Sequence, residues 1–303
     1  MRLSHISLGA LALAIATPAL ADPLPASTPA PDTAAAPTAS TPAAATPADS
    51  GAPAVATVDE PAPAPAPAAA AADGDTAPPA PVTFSGSATL VSDYRFRGIS
   101  QTNKHFAVQG SLTATTSVGL YASVWGSSID EYVAATSDQE IDLILGYKHT
   151  FKSGVTVDGG VLYYYYPGGL RGSKTDFFEP YLSIADTFGP ATMKVTANYA
   201  PEQRAIYSGG PNRDKDDNLY LAGDLSVAIP KTPFGVTGHL GHTFGPSYLS
   251  IGKEYTDWSL GMTATYKQFT AGISYVDTSK DLFSPSGKNI SQSGVVFSIG
   301  VAF

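Results

Sequence analysis

Charged side chains stand two positions apart in short segments of this 303-residue sequence, as Asp93 and Arg95 do, and again Glu140 and Asp142. Lys148, Asp158, Glu179, Lys194, Asp224, His239 and Asp257 hold matching positions in their own segments. In an extended chain that spacing sends side chains to one side. Charges gathered inside a closed sheet sort permeant ions by sign. Seven carboxylates against three fixed cations in this set predict a mildly acidic interior that weakly prefers cations. The competing outcome is pairing, with Asp93 and Arg95 matched to Glu140 and Lys148 in a narrow, filled interior.

Catalysis finds little support. A lipid-modifying barrel enzyme needs a His-Ser dyad and a third, orienting residue. Beyond His5 the chain has His105, His149, His239 and His242. Parity puts His149 and His242 on the apolar side, with no serine expected beside either, and no G-x-S-x-G elbow occurs. Arg213 to Asn218 has the acidic spacing of a calcium loop but lacks its sixth-position Gly and distal Glu. There are no cysteines to ligate a metal or form a disulfide. No catalytic, cofactor or metal residue is assigned, and the expectation is a non-enzyme.

The segments that must carry these charges are read from period-two patterning. Phe84, Ala88, Leu90, Tyr94 and Phe96 take one face, and Thr83, Ser85, Ser87, Thr89, Asp93 and Arg95 the other. Ile141, Leu143, Leu145 and Tyr147 alternate with Glu140, Asp142, Ile144 and Lys148. Twelve such segments are expected, at 82–96, 104–116, 118–130, 139–151, 155–166, 176–188, 190–200, 218–229, 234–244, 256–266, 268–278 and 293–303. Their connections alternate between long polar stretches and tight turns, which is how outer-membrane barrels pair external loops with periplasmic turns. The fold class expected is all-β: a transmembrane antiparallel up-and-down barrel of about 12 strands. A soluble β-sandwich would carry charges on its wet face. Here the polar faces hold mostly Ser, Thr, Gly and Tyr.

Aromatic residues gather at segment ends. Tyr94, Phe96 and Phe106 are expected at one rim and Phe151, Phe188, Phe234, Tyr266 and Phe269 at the other. Trp125, Tyr163, Tyr165, Phe178, Tyr199 and Trp258 also fall near loop ends. The final segment alternates Val295, Phe297, Ile299, Val301 and Phe303 with mostly small residues. A terminal Phe so placed resembles the signal read by the barrel-insertion machinery.

The run Ser92-Asp93-Tyr94-Arg95-Phe96-Arg97-Gly98-Ile99-Ser100-Gln101 resembles the opening motif of the TorF-like porins, also designated Gcw_chp. Gly119-Leu120-Tyr121-Ala122, Trp125-Gly126-Ser127, Glu140-Ile141-Asp142 and Tyr163 to Gly168 continue the likeness in order. It covers about Phe84 to Phe303. The resemblance implies an outer-membrane barrel of porin type. Within the motif, Asp93, Arg95 and Arg97 lie where the first strand enters an outer loop. That loop is read either as a constriction or as a site where Arg95 neutralises a lumen carboxylate while Arg97 meets acidic headgroups.

Ahead of the barrel, Arg2, the apolar run Ile6 to Ala16 and Ala19-Leu20-Ala21 predict a signal peptide over 1–21. Residues 22–81 are mostly Ala, Pro, Thr, Ser and Asp, without Leu, Ile or aromatics after Leu24, and are expected to form a disordered linker. Residues 82–303 are assigned to the barrel. The linker is long enough to reach peptidoglycan or a periplasmic protein. The net charge of −9 is concentrated there: beyond Val82 the chain has 16 basic and 19 acidic residues. No basic patch for nucleic acid is present. The expected setting is the Gram-negative outer membrane, with lipid as the main partner and the linker in the periplasm.

Overall fold

The computed structural model describes residues 81–209 and 214–303. The expected signal peptide and nearly all of the expected linker lie outside them. The described residues form fourteen strands: β1 Val82–Val91, β2 Arg95–Phe96, β3 Ile99–Ser100, β4 Ala107–Thr116, β5 Leu120–Ser128, β6 Gln139–Thr150 and β7 Thr156–Tyr165. They continue as β8 Phe177–Phe188, β9 Ala191–Gln203, β10 Asp216–Ala228, β11 Phe234–Phe244, β12 Tyr255–Tyr266, β13 Phe269–Thr278 and β14 Gly294–Ala302. All but β2 and β3 belong to one closed barrel of twelve antiparallel strands. Each pairs with its sequence neighbours, and β1 closes the cylinder against both β4 and β14. Closure leaves no sheet edge, so the ladder satisfies the wall's backbone groups without water.

Alternation decides which side chain faces where. On β6, Leu143, Leu145 and Tyr147 are exposed on the outside, while Glu140, Asp142 and Ile144 are buried within. The same split runs round the wall. Val108, Leu112, Leu182, Val195, Leu240, Leu260 and Ile299 point outward. Inside, Ser87 bonds Ser111 at 2.8 Å and Thr113 bonds Ser123 at 2.7 Å. A cylinder that is apolar outside and polar inside is stable against acyl chains and not against water. This is a transmembrane barrel.

Exposed aromatics band both rims. Phe106, Tyr163, Tyr165, Phe178, Tyr199 and Tyr275 stand near the long-loop end, and Phe84, Phe151, Phe188, Phe234, Tyr266 and Phe269 near the short-turn end. The seam between β1 and β14 is sealed at the short-turn end. Phe303 and Gly86 exchange backbone hydrogen bonds of 2.8 and 2.9 Å. The Phe303 ring lies so close over Gly86 that a Cβ there would stand 2.7 Å from it.

Three expectations are corrected. The first strand ends at Val91 and not at residue 96, because the chain then turns into the barrel. Tyr94 and Phe96, expected on the lipid side, are 2% and 7% exposed within it. Trp125 also faces inward, where its ring meets that of Tyr94 at 5.5 Å between centroids. The period-two pattern is right for Tyr94 and Phe96, but the surface they alternate against is different; Trp125 shares the luminal parity of Tyr121 and Ser123 on β5.

Candidate functional site: a hairpin across the lumen

Strands β2 and β3 form a minimal hairpin, with Phe96 opposite Ile99. The two turn residues, Arg97 and Gly98, have φ of 50° and 77°. Left-handed backbone at both positions is the type I′ turn that matches the twist of paired strands. Gly98 is required twice over. A Cβ there would lie 2.5 Å from Thr278 Cγ2 and 2.9 Å from Asp257 Cβ, on strands β13 and β12.

The base of the hairpin is locked locally. Arg95 Nε donates to Asp93 Oδ2 at 2.6 Å, and its Nη1 donates to the carbonyls of Gly98 and Gln292 at 3.0 and 3.1 Å. Asp93 Oδ1 accepts from Ser100 Oγ at 2.5 Å and Thr102 Oγ1 at 3.2 Å. Ser100 N donates to Ile290 O at 2.8 Å, which ties the hairpin to the loop before β14.

Its tip reaches the far wall. Arg97 Nη2 donates to both carboxylate oxygens of Glu179 on β8, at 2.9 and 2.7 Å. Arg97 Nη1 donates to Asn218 Oδ1 on β10 at 3.1 Å. The guanidinium lies 4.2 Å over the Tyr220 ring, and Tyr255 Oη donates to Arg97 O at 2.9 Å. The Phe96 ring meets Tyr164 of β7 edge-on. Counting around the cylinder from β1, strands β8 and β10 flank the diametrically opposite position. The hairpin therefore bridges the full width of the lumen.

Arg97 and Glu179 are 1% and 0% exposed in their side chains. A buried ion pair is tolerated only when its remaining donors and acceptors are met. Glu179 also accepts from Tyr164 Oη and Asn198 Nδ2, at 3.3 and 3.2 Å. The reading of Arg97 as a headgroup contact is thus overturned.

The other charges form chains along the inner wall. Lys148 Nζ stands 3.3 Å from Asp158, which also accepts from Tyr121 Oη at 2.8 Å. Lys194 Nζ lies 3.1 Å from Asp224. His239 joins Asp224 on one side, at 2.8 Å, and Asp257 on the other, at 3.1 Å. Tyr220 Oη reaches Asp257 at 3.0 Å, which links this chain to the hairpin tip. Glu140 accepts from Tyr94 Oη at 3.5 Å, and Asp142 is buried one step further along β6.

All eleven residues singled out in the sequence therefore lie inside. Asp93 and Arg95 do so on the hairpin and not on the wall. The pairing expected between Asp93 or Arg95 and Glu140 or Lys148 does not form: Arg95 takes Asp93, and Lys148 takes Asp158. Sequence reasoning missed the luminal roles of Arg97, Tyr220 and Asn218. One signal was available for Arg97, since an Arg-Gly pair flanked by alternating residues fits a two-residue turn.

His149 and His242 are on the outer surface. His149 packs between Tyr147 and Phe151, and His242 Nδ1 pairs with Thr256 Oγ1 at 2.8 Å. The acidic run beginning at Arg213 is only partly described. Asp214 pairs with Arg204 at 2.9 Å, and Asp216 accepts from Ser208 at 2.7 Å.

A family profile described as "Bacterial protein of unknown function (Gcw_chp)" matches residues 75–303. No curated protein matches the chain. Among solved structures it is similar to the NanC porin, at 14% identity and a TM-score of 0.49 over 73% of this chain and 99% of that one. It is also similar to the COG4313 outer membrane channel from Pseudomonas putida F1, at 10% identity and a TM-score of 0.45 over 75% and 96%.

Proposed function

This chain belongs to the Gcw_chp family, and we propose that it is an outer-membrane channel for ions or small hydrophilic solutes, held closed here by its own hairpin. The carrying observation is the polar, charge-bearing interior of a sealed cylinder, crossed by a hairpin that uses only two residues to turn. The luminal ladder of Lys, Asp, His and Tyr supports this reading, because charges lining a pore sort permeant ions by sign. The hairpin is attached to the wall by side-chain contacts at its tip, so it can leave without breaking the barrel ladder.

An even strand number puts both barrel ends on the face of the short turns, which supports a periplasmic assignment for that face. Residues 22–81 then extend into the periplasm, where peptidoglycan or a periplasmic protein is within reach. The insertion machinery reads the strand ending in Phe303. No enzymatic role is proposed, since His242 meets Thr256 and not a serine with an orienting acid.

The second reading is a non-conducting structural or adhesive barrel. It is favoured by the completeness of the seal, with Arg97 tied to Glu179 across the lumen. Planar-bilayer recordings separate the two. The channel reading expects small or rare steps from the full chain and large, frequent steps once residues 93–101 are replaced by a short Gly-Ser link. Silence from a folded, hairpin-free barrel would favour the non-conducting reading.

A further inference from the structure

Outside the hairpin, on the loop side, the barrel encloses a cavity of about 270 Å³. Phe96 and Ile99 of the hairpin line it, together with the outer loops and the adjoining strand ends. The volume is near the lower bound of about 300 Å³ for pockets that hold drug-sized ligands, which suits a one-ring molecule.

The lining is chemically lopsided. Phe96, Tyr132, Tyr166, Phe177 and Tyr248 present rings to the space, and Glu140 is the one carboxylic acid among its lining residues, with no Lys, Arg or His beside it. The Tyr132 hydroxyl is turned away to Ser100 O, and the Tyr248 hydroxyl donates to the carbonyls of Tyr132 and Val133 at 3.2 Å. Those two rings therefore face the cavity without their polar tips. Glu140 is buried and has no ion-pair partner among the described residues; its hydrogen bond from Tyr94 Oη is long, at 3.5 Å. Burial, together with the charges of Glu140 and Asp142, holds the Tyr166 phenol well above its usual pKa.

We infer that this cavity is a recognition site for a small aromatic ammonium ion, its charge against Glu140 and its ring among the aromatic side chains. A carboxylate buried without a counter-charge is costly, and an ammonium supplies that charge. Aromatic faces add the attraction of a ring quadrupole for a cation. The inference goes beyond the channel reading, because binding at the mouth does not require the barrel to conduct.

The test is equilibrium binding to the full chain in detergent, with benzylammonium as probe and benzyl alcohol and benzoate as neutral and anionic matches. Benzylammonium is expected to bind at least about tenfold more tightly than benzyl alcohol, with benzoate weakest. Glu140→Gln should remove that advantage while leaving benzyl alcohol binding unchanged. Ala205→Trp, which fills the cavity from a loop, should abolish binding of both and covers the case in which the Glu140 variant does not fold. Equal affinity for benzylammonium and benzyl alcohol would overturn the inference, as would binding that survives Ala205→Trp.

Discussion

Arg97, at the tip of a two-residue turn, meets Glu179 on the opposite wall of the barrel through both carboxylate oxygens, at 2.9 and 2.7 Å. Neither side chain is accessible to solvent, so the pair holds the hairpin in the lumen by a contact that cannot be traded for water.

Glu179→Ala leaves the guanidinium buried without its carboxylate. Losing one partner of such a pair costs about 3–5 kcal/mol, more than a short hairpin can recover elsewhere. The expected result is release of the hairpin from an intact barrel. Trypsin then cuts at Arg95 or Arg97, which are buried in the parent protein. Continued resistance to trypsin at protease levels that digest unfolded chain would show that the pair is dispensable.

Gly98→Val tests the seat from the other side. The substitution imposes a β-branched residue at φ 77° and drives its Cβ into Thr278 and Asp257. Strain of that kind costs about 1–3 kcal/mol before the clash is counted. Single-channel recordings should show conductance approaching that of the hairpin-free barrel, while the shift in gel mobility on boiling stays as in the parent.

The hairpin was only half legible in sequence. Alternation from Ser92 to Phe96 correctly put Asp93 and Arg95 on one side of the chain and Tyr94 and Phe96 on the other. It carried no information on whether a greasy side chain met lipid or the inside of a plug. Pattern reading therefore extended β1 through these residues. The wall was legible because lipid on one side and a polar cavity on the other write opposite demands onto neighbouring positions. Glu140 to Lys148 shows this directly: parity alone placed Leu143, Leu145 and Tyr147 outside and Glu140, Asp142 and Ile144 within. Cross-barrel partners such as Arg97 with Glu179 were not legible, since they depend on register and closure, which no local window contains.

Ion selectivity of the opened barrel follows from the charges that remain. Inside are seven carboxylates from the sequence set and four fixed cations, Arg95, Arg97, Lys148 and Lys194. Removing residues 93–101 takes out two of the cations and one carboxylate, so the lumen becomes more acidic. The hairpin-free channel should show a cation-selective reversal potential in a KCl gradient, reduced by Asp257→Asn. A reversal potential of the opposite sign would contradict the acidic-interior reading.

Phe303→Ala uncovers Gly86 at the seam while keeping the backbone bonds between the two residues. The ring fills the place where β1 has no side chain of its own. Refolding into lipid vesicles should be slower and less complete than for the parent chain, followed by the boiling-dependent gel shift. An unchanged refolding rate would limit the terminal ring to recognition by other proteins.

The socket for the hairpin is built from distant chain. Arg97 is separated from Glu179 by 82 residues, from Asn218 by 121 and from Tyr255 by 158, and Arg95 is held by Gln292, 197 residues on. The socket is complete only when the chain as far as Gln292 is in place. A fully docked finger therefore reports that these distant staves have come together.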